Sequence, residues 1–151
     1  MTSTWILVAN SVYAKILEVT SPKSEAMTIE EFFHPKANKT VIRDFLEQQQ
    51  KLTNKHPMMP STAFGDNIDA HERKVFAKEL ADFLAVSYDQ NKYKKLVVVS
   101  SRAFLGDLRN AFNENIKKHL AHELDKDLIP LALKNDELIS KICNDLGLIH
   151  L

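Results

Sequence analysis

Leu96-Val97-Val98-Val99-Ser100-Ser101-Arg102-Ala103-Phe104-Leu105-Gly106-Asp107-Leu108-Arg109 is the stretch that decides the fold. Four apolar residues of strand type end at two serines. A helical pattern follows at once, with Phe104, Leu105, Leu108 and Phe112 spaced for burial on one face. A continuously apolar strand is covered on both sides, as parallel strands of α/β sheets are. The crossing from such a strand into a helix is where α/β proteins place ligands.

Nearer the amino terminus, Trp5-Ile6-Leu7-Val8-Ala9 is a second continuously apolar run and reads as another central strand. Asn10-Ser11 is a turn pair. Val12 to Val19 alternates, Ser21-Pro22-Lys23-Ser24 breaks the pattern, and Met27 to Phe32 alternates again before His34-Pro35. Three strands with short links predict an antiparallel meander. Asn38 to Gln50 reads as a short helix. Lys51 to Asn67 is irregular, and a loop of that length is functional or mobile.

Asp69 and Glu72 have the spacing of a capping box for a helix running to about Asn91. The helix after Ser101 extends toward Asn113. Ile116 to Leu124 fits either helix or strand, with a last strand ending before Asp125-Lys126-Asp127. Asp136 to Leu146 reads as a final helix stopped by Gly147.

The expected fold is therefore one α/β domain over residues 1–151, with a mixed five-stranded sheet in the order 3-2-1-4-5 and helices on its faces. That order is the ribonuclease H-like arrangement.

Composition narrows the function. The 151 residues carry 20 Lys+Arg against 20 Asp+Glu, so the formal charge is zero and a globally basic nucleic-acid binder is not indicated. The single cysteine, Cys143, cannot form an intrachain disulfide, which fits a reducing compartment. Trp5 to Ala9 is too short for a signal peptide or a membrane span, so the expected location is the cytoplasm. With three glycines the chain has no phosphate-binding glycine loop. It also lacks a zinc pattern and a nucleophile elbow, so no catalytic residue, metal or cofactor is assigned. A two-metal nuclease needs clustered carboxylates, yet the first strand ends in Asn10, a neutral amide.

Local basic clusters remain. Lys94, Lys95 and Arg102 are the candidate nucleic-acid contacts, with Lys92 and the aromatic Tyr93 beside them. Lys55 and His56 in the loop and His71 at a helix start are candidate ligand contacts. For His71-Glu72 a capped helix start is the simpler reading, and Cys143 has the spacing of a core thiol.

Thr4-Trp5-Ile6-Leu7-Val8-Ala9-Asn10 followed by Ala14-Lys15-Ile16 resembles the opening of the bacterial host attachment family, proteins required for attachment to host cells. The resemblance continues at His34-Pro35, Asp69-Ala70-His71-Glu72, Phe76 to Ala81, Leu96 to Val99, Phe104 to Arg109 and Glu123 to Leu128. That family is similar to the middle domain of eukaryotic and archaeal peptide-chain release factors. The resemblance implies a ribonuclease H-like sheet and a partner that is RNA, the ribosome or a ribosome-associated protein. The release-factor Gly-Gly-Gln tip is missing, since Pro60 to Asn67 holds one glycine. The expected function is a non-catalytic binding module. The alternatives are an interaction protein affecting attachment to host cells, or a hydrolase acting through the 51–67 loop.

Overall fold

The computed structural model describes residues 3–20, 25–51 and 68–151. A five-stranded sheet has the order β3-β2-β1-β4-β5, as the sequence predicts. Its strands are β1 (Thr4–Ala9), β2 (Tyr13–Val19), β3 (Met27–Phe33), β4 (Lys95–Ser100) and β5 (Leu120–Asp125). β1 pairs antiparallel with β2 and parallel with β4, while β2–β3 is antiparallel and β4–β5 parallel. Every residue of β1 is buried, which is why that strand shows no alternation.

The sheet divides two cores. On one face lie Trp5, Leu7, Leu96 and Val98, covered by α2 (Ala70–Asp89), α3 (Arg102–Ala111) and the short α4 (Glu114–His119). Phe76, Leu80, Leu84, Phe104, Leu108 and Ile116 supply the helical side of that core. On the other face lie Ile6, Val8, Val97 and Val99. They are covered by α1 (Lys39–Lys51), α5 (Asn135–Leu146) and a 3-10 turn over Ile129–Leu131. The period of two along each strand sorts neighbouring residues into opposite cores.

Three local details differ from the sequence reading. The Ile116–Leu124 ambiguity resolves into both elements: Phe112 leaves the helix in an extended conformation, Asn113 caps α4 by accepting from the Ile116 N–H at 2.9 Å, and β5 begins at Leu120. α2 ends at Asp89, and Asn91 takes a left-handed φ of 60°, which asparagine tolerates better than most residues. The capping box is half made. Asp69 accepts from the Glu72 N–H at 2.8 Å, but the Glu72 carboxylate pairs with Lys36 at 2.7 Å.

Candidate nucleic-acid interface

The two ends of the parallel strands differ in charge. At the carboxyl end, the polar groups are engaged with one another. Asn10 is buried; its Oδ1 accepts from the Val12 and Tyr13 N–H groups, both at 3.0 Å, and its Nδ2 donates to Asp127 at 3.3 Å. The ring of His34 is buried, with Nδ1 accepting from the Lys36 N–H at 3.0 Å and Nε2 3.3 Å from the Glu72 carbonyl. Arg73 pairs with the buried Asp107. Arg102 pairs with Asp125 at 2.9 Å, and the Arg109 guanidinium grips Glu123 at 2.7 Å. The carboxylates beside Arg102 and Arg109 raise both guanidinium pKa values above the ordinary arginine value. These arginines thus meet fixed carboxylates from β5.

The amino end is different. The left-handed Asn91 follows the end of α2, and the Lys92 N–H donates to the Ser87 carbonyl at 3.0 Å. The chain then enters β4, with the Lys94 and Lys95 N–H groups donating to the Ser3 carbonyl at 2.9 and 3.3 Å. Lys92, Lys94 and Lys95 are exposed. The register pairs Leu96 with Leu120, so the last turn of α4 (Lys117, Lys118, His119) arrives at the same edge as Lys95. Adjacent strands lie about 4.8 Å apart, which sets the spacing of the two basic segments.

Lys117 and Lys118 are exposed, and Lys117 stands 4.0 Å from Glu114. Among the described residues, Lys92, Lys94, Lys95 and Lys118 have no ion-pair partner. Lysines in the last turn also favour the dipole of α4.

The grouping of basic residues expected from the sequence is thereby rearranged. Lys94 and Lys95 stand together. Arg102 lies past the far end of β4, about 20 Å away at the rise of an extended strand. Lys117 and Lys118 lie instead at the end of the sheet where the chain enters β4. Tyr93 is buried and stacks on Trp5 with ring centroids 4.9 Å apart, its hydroxyl donating to the Leu84 carbonyl at 2.8 Å. It cannot receive a base from solvent. The aromatic groups at this edge are instead Tyr88 and His119, both half-buried.

His71 is exposed in the first turn of α2. Lys55, His56 and the rest of the 52–67 segment lie outside the described residues. Cys143 is buried, and that burial raises its thiol pKa. Among the described residues no group of three or more His, Cys, Asp or Glu side chains could hold a metal ion.

With this geometry in place, comparison with known proteins supplies a family. Residues 5–142 match the family model for proteins required for attachment to host cells. The chain belongs to that family. No curated protein matches it. Among solved structures it is similar to an archaeal protein at 12% identity and a TM-score of 0.45, covering 96% of this chain and 39% of that one. It is also similar to the archaeal translation termination factor aRF1 at 12% identity and a TM-score of 0.44, with the same coverage. The chain therefore spans about two-fifths of the length of those structures, with 39% of each covered. Among the described residues, no helix is long and apolar enough to cross a membrane.

Proposed function

We propose that this member of the host attachment family is a non-catalytic binding module that engages RNA, free or in a ribosome-associated partner, through the lysines at the amino edge of its sheet. The observation that carries the reading is that two exposed basic segments remote in sequence, Lys92 to Lys95 and Lys117 to Lys118, arrive at the same end of the sheet. Clustered ammonium groups neutralise phosphates and release counterions, whatever the base sequence. A chain of zero formal charge offers little long-range attraction, so contact depends on this local edge.

The test is an anisotropy titration with unrelated RNA oligonucleotides at low salt. Charge reversal at Lys94 and Lys95, or at Lys117 and Lys118, weakens binding to all of them by a similar factor. Arg102→Glu, at the other end of β4, leaves binding within about twofold of wild type, because phosphate contacts act locally under screening. No binding by the wild type, or equal binding by all variants, removes the proposal.

The family match favours a second reading, in which the chain acts in attachment through a protein partner. Crosslinking in cells, followed by identification of both bound RNA and bound protein, separates the two.

A further inference from the structure

The lysine edge contains a ring whose orientation is fixed on two sides. His119 Nδ1 lies 2.9 Å from the Asn115 carbonyl, and Nε2 lies 3.0 Å from the Tyr88 hydroxyl. A carbonyl can only accept, so Nδ1 carries a proton and donates. In the neutral ring Nε2 then accepts from the Tyr88 hydroxyl. The two rings meet with centroids 4.6 Å apart at a tilt of 44°, and Tyr88 meets Tyr93 edge-on at 5.7 Å. Tyr93 in turn stacks on Trp5. An aromatic column thus runs from the core to the surface and ends at His119. That residue remains half-exposed, next in sequence to the exposed Lys118 and directly before Leu120, which pairs with Leu96 of β4.

We propose that His119 is a stacking platform for an unpaired base, and that the lysine edge therefore takes single-stranded RNA in preference to duplex. The inference rests on the RNA reading above and adds a residue and a strand preference to it. Lysines alone give no preference for the single strand, since a duplex carries its phosphates at higher density. An aromatic ring among the lysines gives one, because only unstacked bases can lie on it. His119 is suited to this because its hydrogen bonds hold the ring plane before any base arrives, so little rotamer freedom is lost on binding. Tyr88 acts as a positioning residue through its hydroxyl.

The experiment titrates a single-stranded RNA and a duplex RNA of equal length against the wild type, His119→Ala, His119→Phe and Tyr88→Phe, across a salt series. The wild type binds the single strand more tightly. His119→Ala weakens single-strand binding about tenfold, in the range of one lost base stack, and leaves duplex binding and the salt slope unchanged. His119→Phe, which keeps a ring, retains most of the single-strand affinity. Tyr88→Phe lowers single-strand affinity by a smaller factor and leaves the duplex unaffected.

Equal loss for both RNA forms in His119→Ala, or no loss for either, overturns the stacking role while leaving lysine-dependent binding intact. Absence of any RNA binding by the wild type overturns the underlying reading and this proposal with it.

Discussion

Asn10 shows how one side chain sets the architecture of the carboxyl edge. Its amide accepts from two N–H groups of the β1–β2 turn and donates to Asp127, joining the hairpin to the chain after β5. A carboxylate could keep the two accepted bonds but not the donated one. Asn10→Asp places two carboxylates face to face and is expected to cost about 1–3 kcal/mol at neutral pH. Mutual repulsion raises the folded-state carboxyl pKa above its unfolded value. The folded variant then binds protons more readily than the unfolded chain. Its deficit relative to wild type therefore shrinks as pH falls through the folded-state pKa. Urea denaturation at pH 7 and pH 5 checks this, and adding Asp127→Asn restores a donor facing an acceptor. A variant as stable as wild type at neutral pH would show that the Asn10–Asp127 bond contributes nothing.

Among the elements, Lys15 makes the unusual tie. It sits buried in β2, and its ammonium donates to the Ala132 carbonyl and, at 3.0 Å, to Asn135 Oδ1, fixing the 3-10 turn and the start of α5 to the sheet. Burial lowers its pKa, opposed by the charge of Glu31. The folded state thus holds this proton less tightly than the unfolded chain. Between the lowered folded pKa and the ordinary lysine value, the Lys15 contribution to stability rises with pH. Chemical denaturation from pH 7 to 9.5 is expected to show a smaller gain in Lys15→Met than in wild type. Met also strands two acceptors, with an expected cost of about 1–3 kcal/mol. Identical pH profiles would place Lys15 outside the titrating set.

The cap of α2 follows the same sign in the acid range. The Glu72 N–H that Asp69 accepts lowers the Asp69 pKa, so its contribution is present above the unfolded carboxylate value and is lost as pH falls through the folded one. Asp69→Ala is expected to reduce stability at neutral pH and to match wild type in strong acid.

Elements are legible in the sequence where they are long or continuously apolar, as in β1, β4 and α2. α4 is not, because its six residues span under two turns and hydrophobic periodicity cannot develop over that length. With α4 unread, Lys117 and Lys118 have no place in the site. Tyr93 misleads for a related reason: its sequence neighbours are exposed lysines, while its ring is drawn under Trp5. Arg102 is adjacent to β4 in sequence but lies beyond its far end, a separation that only strand direction reveals.

Across the whole molecule, two apolar cores hold one sheet, and the sheet keeps its polar work at its ends. The outer strand β3 bears Glu30 and Glu31 and is paired with β2 through a register shift at Ile16/Leu17, features that discourage edge-to-edge pairing. Truncating a residue shared by neither edge, such as Leu7→Ala in the centre of β1, is expected to cost about 2–5 kcal/mol in urea denaturation through the cavity it leaves.

If the amino edge meets phosphates, its lysines must set the salt dependence of RNA affinity. That dependence is measured for wild type and for the fourfold variant Lys94→Gln, Lys95→Gln, Lys117→Gln, Lys118→Gln. Each lysine that neutralises a phosphate contributes about 0.7 to the slope of log affinity against log salt for single strands. The wild-type slope is expected to be steeper than that of the variant by about 3, on the same basis. Equal slopes for the two proteins would contradict phosphate contact at this edge.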